Sequence, residues 1–335
     1  MPVSRLVIPL ALWLSASCSH GALRRATIVE RVRPAMGADV RMTAWTADER
    51  AALVAFDMAF AEFDRLESIM SVWREGSEVQ RLNDAAGRHR VVIGRDMQRV
   101  LREARQVSEW TGGKFDVTFG ALSGLWKFDH DQDNSVPVPA AILARLPLID
   151  YRALTVDDDT RTAFLRRAGM RVHLGGIGKG YAVDRAVEIL RSRGVRDFMI
   201  QSGGDLFVSG TRGDRPWRVG IRDPRGPADR TIATFDLTDG TFSTSGDYER
   251  FFIKDGRRYH HILDPDTGDP ARGCQSVTIV AESAAIADGL STGVFILGPA
   301  AGMALIEKLP QVEGVIVTDH GAMLVSSGLE GHLAR

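Results

Sequence analysis

The sequence predicts an α+β protein in which helices pack on largely antiparallel sheets. Three observations lead there. Apolar residues recur at three- and four-residue steps in several separate segments, the mark of helices with one buried face. Between Trp217 and Ala281 the pattern becomes a succession of short β-prone runs with turn signals between them. The 34 glycines and 13 prolines punctuate a chain of 335 residues and form no low-complexity tract or repeat.

The elements follow in order. Residues 24–47 read as strand, turn, strand around Pro34-Ala35-Met36-Gly37. Asp48 caps a helix running to about Met70, with Leu53, Phe56, Phe60, Phe63, Leu66 and Met70 on its inner face. A second helix spans roughly residues 96–110, with Val100, Leu101, Ala104 and Val107 inward, and Thr111-Gly112-Gly113 stops it. Residues 129–140 form a polar loop. Its Asp129, Asp131 and Asp133 mimic the start of a calcium loop, but Asn134 replaces the turn glycine and Ala140 the bidentate Glu, so the loop is read as solvated. An apolar run at 170–174 leads through glycines into a helix carrying Val183, Ala186, Val187 and Leu190. Strands are expected at 197–201, 217–221, 231–237, 241–244, 251–254 and 258–263, the last two joined by the hairpin signal Asp255-Gly256. A strand at 276–281, a helix at 284–297 and a hairpin of 312–318 with 322–325 complete the chain.

Composition narrows the class. Hydrophobic content of 44% and charged content of 25% are those of a globular protein with a sizeable core. Forty-two basic against 43 acidic residues give a net charge of −1, which argues against nucleic acid as the main partner. No linker marks a boundary, so residues 24–330 are read as one domain. Residues 1–22 read as a targeting segment: Arg5 and the amino terminus are its positive region, and 6–14 its apolar region, too short to span a bilayer. Ser15-Ala16-Ser17 before Cys18 resembles a bacterial lipoprotein signal with Cys18 as lipidation site, although Ser15 stands where an aliphatic residue is usual. Ordinary signal cleavage nearby is the alternative. Either route implies export to the periplasm, and the first adds a lipid anchor to the inner membrane. With Cys18 so used, Cys274 has no partner, and it is read as incidental in the turn Arg272-Gly273-Cys274.

The most informative stretch is His173-Leu-Gly-Gly-Ile-Gly-Lys-Gly180. Glycines let backbone approach a ligand closely, and a helix start offers N–H groups and a positive dipole end to phosphate. Lys179 adds a cation. A Walker A loop fails here at His173 and Gly180, and a dinucleotide fingerprint fails at Tyr181. A glycine-rich turn without a ligand is the alternative. Asp288 and Thr292 lie one helical turn apart, so a carboxylate and a hydroxyl could share a hard cation such as Mg2+; alternatively Asp288 is a surface charge. Adjacent strand residues face opposite ways, so His260 and His261 are not expected to bind one ion.

Taken together, eight ordered segments resemble the ApbE-like FAD:protein FMN transferases. They are Pro-Ala-Met-Gly at 34–37, Arg-Leu-Asn at 81–83, Thr-Gly-Gly-Lys-Phe-Asp-Val-Thr at 111–118 and Leu-Gly-Gly-Ile-Gly-Lys-Gly-Tyr-Ala-Val-Asp at 174–184. Ser-Gly-Gly-Asp at 202–205, Ser-Thr-Ser-Gly-Asp-Tyr at 243–248, His-Ile-Leu-Asp-Pro at 261–265 and Ala-Asp at 287–288 follow. The resemblance implies an α+β fold with FAD in a central cleft. It implies Mg2+-dependent transfer of FMN from FAD to a Thr or Ser hydroxyl of an acceptor protein, with AMP released. It also implies an acceptor among the subunits of a membrane electron-transport complex.

Residue by residue, the resemblance assigns Met36, Trp73, Lys114, Phe115, Asp116, Lys179 and Leu263 to the flavin nucleotide. His173 stands where an FAD-contacting Asp is usual, and Lys114 where a small residue is usual, which suggests a more cationic pocket edge. Gly176, through its carbonyl, with Asp288 and Thr292 matches the Mg2+ ligands. For the base that takes the hydroxyl proton, His261 is the first candidate and Asp247 the second. Two other readings stay open: a pyrophosphatase splitting FAD into FMN and AMP, and a flavin-binding lipoprotein without catalysis.

Overall fold

The structure, a computed structural model, describes residues 25–128, 131–227 and 229–334. The targeting segment 1–22 with Cys18, and Asp129, lie outside the described residues.

The first hairpin is β1 (Thr27–Ala35) and β2 (Ala38–Thr46), turning at Met36 and Gly37, both with positive φ. Helix α1 (Glu49–Met70) begins where Asp48 accepts the Ala51 N–H. Its buried face includes Phe56, Phe60, Phe63 and Leu66. Next come α2 (Glu78–Asp84), capped by Ser77, the short β3 (Val91–Val92), and α3 (Arg95–Trp110). Helix α4 (Pro139–Leu143) opens on a proline whose missing N–H costs nothing there. Strands β4 (Leu154–Asp157) and β5 (Thr162–Leu165) join β3 in a small sheet. Helix α5 (Gly178–Ser192) follows the glycine loop.

The second half holds β6 (Phe198–Ser202), β7 (Asp205–Ser209), β8 (Trp217–Arg222), β9 (Thr231–Leu237) and β10 (Gly240–Gly246). Then come β11 (Phe251–Lys254), β12 (Arg257–His260) and β13 (Cys274–Ala281). Helices α6 (Ala284–Leu297) and α7 (Pro299–Lys308) precede the closing β14 (Glu313–Thr318) and β15 (Met323–Val325). Among the described residues, eight strands form one sheet in the order β1-β2-β6-β7-β10-β13-β14-β15. Every neighbouring pair in it runs antiparallel.

Alternation along the strands splits the core. Phe207, Val277 and Ile279 face α1, α5 and α6 in the main hydrophobic cluster. Leu206, Val208, Phe242 and Val315 face the other way, against Trp217, Val219, Ile221, Ala233 and Phe235 of the β8–β9 ribbon. That is the period-two pleat at work. A third, smaller cluster of Leu122, Trp126, Phe128, Ile142, Phe252 and Leu263 lies partly under the β11–β12 hairpin.

Several expectations need correction. The apolar run at 170–174, expected only to lead into the glycines, makes one isolated bridge, Arg171 to Phe119, and buries Met170, Val172 and Leu174. The strand expected over 258–263 ends at His260, because Leu263 turns away to bridge Pro270. Cys274 is buried in the main cluster as the first residue of β13, where it is a free thiol. The loop before Pro139 is exposed, as expected of a solvated segment.

Candidate active site

A cavity of about 260 Å3 lies between the start of α5, the inner face of α6 and the third hydrophobic cluster. Helix α6 approaches α3 closely: a Cβ on Gly293 would come within 2.5 Å of Thr111 Cγ2. On the neighbouring face of α6, one turn apart, Asp288 and Thr292 reach the cavity. Asp288 is buried, so it is not a surface charge. Its Oδ2 accepts the Gly180 N–H at 3.1 Å, in the first turn of α5. Gly180 is required by packing, since a Cβ there would overlap the Ala284 carbonyl and lie 2.8 Å from Asp288 Cβ.

This changes the expected phosphate cradle. The Gly175 N–H donates to His173 Nδ1, the Ile177 and Gly178 N–H groups to the Leu174 carbonyl, and Gly180 to Asp288. The helix start therefore holds a carboxylate of its own protein, and the loop contributes mainly close approach and Lys179. The Lys179 ammonium lies 3.1 Å from Asp205 and 3.5 Å from Asp288. Burial acts to lower its pKa, but the two carboxylates override this and hold it above its ordinary value. Burial and the Asp205 charge push the Asp288 carboxyl up. Asp205 is itself fixed by a 2.5 Å hydrogen bond from Ser243.

The opposite wall is aromatic. Trp73, 60% exposed, stands at the rim, and Phe115 is buried. His173 packs on Phe119 with ring centroids 5.4 Å apart. Leu263 joins the wall from the third cluster. Lys114 reaches the cavity but is held by Asp264 at 2.8 Å and Asp266 at 2.9 Å, so the pocket edge is not made more cationic. Asp116 accepts from the Thr118 N–H and hydroxyl and from the Tyr151 N–H. Burial nevertheless pushes it up to about 6. Met36 packs beside the loop, 3.7 Å from a Cβ built on Gly178, while its neighbour Gly37 lines the cavity.

The two histidines part as expected. His260 Nε2 lies 3.0 Å from the Ala271 carbonyl, and its ring meets Phe295 edge-on. His261 lines the cavity, with Nδ1 buried and without a hydrogen-bond partner. Burial, then the charge of Arg250, lowers His261 to about 3, so the ring is neutral. Asp247 does not reach the cavity as a free carboxylate: Arg225 grips it with two hydrogen bonds of 2.7 and 2.6 Å. That ion pair removes it as a base.

Known proteins share the sequence pattern and the fold of this chain. The sequence model of the ApbE family matches residues 36–316. The chain belongs to the ApbE family. A FAD:protein FMN transferase of Treponema pallidum is 33% identical over 290 residues, covering 82% of this chain and 80% of the relative. One from Klebsiella pneumoniae is 32% identical over 293 residues, covering 87% and 90%. The ApbE protein of Thermotoga maritima has a similar structure, with TM-score 0.84, 34% identity and coverage of 92% of this chain and 100% of that one. The flavin transferase ApbE from Vibrio cholerae gives 0.81 at 29% identity, covering 92% and 99%. The ApbE family is one of enzymes, and the α+β fold expected from the sequence is the fold of these structures.

Within this ApbE fold, Trp73, Lys114, Phe115, Asp116, His173, Gly176, Lys179, His261, Leu263, Asp288 and Thr292 all border one cavity. Met36 packs beside it and Asp247 is drawn away. Among the described residues no three His, Cys, Asp or Glu side chains cluster as a metal site. The set Gly176, Asp288 and Thr292 is of another kind, one carbonyl, one carboxylate and one hydroxyl. It fits a hard cation: all three are oxygen donors, and the carboxylate of Asp205 lies on the same wall of the cavity as Asp288. Asp205 and Ser245 stand in the motifs at 202–205 and 243–248 without an expected role; the acid that ends Ser-Gly-Gly-Asp was the signal in the sequence, and its burial is visible only in the fold.

Proposed function

We propose that this chain transfers FMN from FAD to a Thr or Ser hydroxyl of an acceptor protein, releasing AMP in a Mg2+-dependent reaction. One observation carries the reading: a single cavity joins an aromatic wall suited to a flavin ring to a buried carboxylate, hydroxyl and ammonium suited to a pyrophosphate. The names of the curated relatives supply the reaction class.

In this reaction the acceptor oxygen bonds to the phosphorus on the FMN side. The phosphoanhydride P–O bond breaks, and AMP leaves with its electron pair. The Gly176 carbonyl, Asp288 and Thr292 would hold Mg2+, which neutralises phosphate charge when bound. Lys179, clamped by Asp205, gives a fixed positive charge on the same side. Phe115 and Trp73 orient the ring system. His261 takes the hydroxyl proton: its ring is neutral, and nearby phosphate charge raises its basicity. The reading includes export to the periplasm by residues 1–22, Cys18 as lipid anchor to the inner membrane, and an acceptor subunit of a membrane electron-transport complex. The apolar region at 6–14 supports export. Among the described residues no helix is long and apolar enough to cross a membrane.

The test incubates the protein with FAD, Mg2+ and an exported electron-transport subunit of the same cell. AMP and a flavin-fluorescent acceptor band in a denaturing gel are expected. AMP without the band makes the protein an FAD pyrophosphatase. Neither product, with FAD still bound, makes it a flavin-binding protein without catalysis.

A further inference from the structure

Three hydroxyls beside the cavity form a chain whose proton direction is fixed. Ser291 Oγ lies 2.9 Å from the Asp288 carbonyl oxygen. A carbonyl only accepts, so the single Ser291 proton is committed to it. Ser245 Oγ lies 2.8 Å from Ser291 Oγ. Ser291 has no second proton, so Ser245 is the donor in that contact. Thr292 Oγ1 lies 3.0 Å from Ser245 Oγ. The Ser245 proton is already committed, so Thr292 donates. The order is Thr292 to Ser245 to Ser291 to the α6 backbone, and each of the three protons is committed within the chain.

The consequence falls on Thr292. A threonine hydroxyl at a cavity wall can present either its proton or its lone pairs. Here the proton is drawn onto β10, leaving Oγ1 to face the Gly176 side as an acceptor only; a Cβ built on Gly176 would lie 3.5 Å from it. A proton aimed inward would repel a cation. We propose that Ser245, with Ser291 behind it, is a positioning residue that fixes the Thr292 hydroxyl with its lone pairs toward the cation of the proposed transfer reaction. Ligand-orienting groups of this kind commonly carry a tenfold or larger share of metal affinity.

This inference rests on the Mg2+ site of the proposed function, and the test separates the two. Mn2+ is the probe, titrated by electron paramagnetic resonance into the full chain with and without FAD. Ser245→Thr keeps the hydroxyl, and Ser245→Val keeps the shape without it. Mn2+ affinity near that of the unaltered protein is expected for Ser245→Thr, and at least roughly tenfold weaker binding for Ser245→Val. Ser291→Ala should give a smaller loss, because Ser245 can still accept from Thr292. Equal affinity in the Thr and Val variants, both with an unaltered circular dichroism spectrum, overturns the inference alone. Mn2+ binding unaffected by Thr292→Ala overturns the metal site and the inference with it.

Discussion

At one end of the cavity, Lys179, Asp205, Asp288 and Thr292 project from the main sheet and its helices, and their polar atoms pair with one another, with Ser243 and Ser245, and with backbone. At the other end, Trp126, Phe128 and Leu263 belong to the small third cluster, beneath a two-stranded hairpin whose Ile253 is 60% exposed. The first end is pre-organised by the whole core. The second depends on one ribbon, and such ribbons are marginal without support. The charged end thus fixes geometry before a ligand arrives, while the apolar end has room to adapt to it.

Changes that separate the ends sharpen this contrast. Asp288→Asn retains an acceptor for the Gly180 N–H but removes the charge. It should abolish Mn2+ binding and cut AMP release by roughly a thousandfold, a loss of several kcal/mol in the transition state, with the fold intact by circular dichroism. Full turnover in this variant would deny the charged end its role. Phe252→Ala leaves a cavity in the third cluster and should cost about 3 kcal/mol of packing there. FAD affinity, followed by fluorescence titration, should fall while Mn2+ affinity stays; parallel loss of both would mean that the two ends are one cooperative unit.

His260 gives a pH-dependent comparison. Burial lowers its pKa from 6.5 to about 4, so the unfolded chain binds its proton first. The stability due to neutral His260 is full above pH 6.5 and is lost as pH falls toward 4. The loss should reach on the order of 3 kcal/mol relative to His260→Gln, read as the difference in urea unfolding across that window. A flat difference would show that burial does not govern this ring. Lys114→Met should be the mildest, within about 1 kcal/mol in thermal unfolding, since its acidic partners are partly exposed.

Strong periodicity made α1 legible, with eight residues buried on its inner side; α6 matches the expected 284–297 although eleven of its residues are buried. Strand β7 escaped because all five of its residues are buried, leaving no alternation to read. Strands β3, β4 and β5 are two to four residues long, too short for any period. Helix α7 was announced only by Pro299 after Gly298. At the site, ordered motifs carried most of the lining residues. What they could not reveal was pairing across the fold: Arg225 claiming Asp247, Asp264 claiming Lys114, and Asp288 closing the start of α5.

Two consecutive turns of α6 carry opposite demands. Positions 288 and 292 need their oxygens, while position 293 must stay bare because Thr111 leaves it no room. A single inserted residue would swing these roles by about 100° around the axis. Ligand would then meet glycine, and the neighbouring helix would meet a side chain, so this stretch can drift neither in length nor in size.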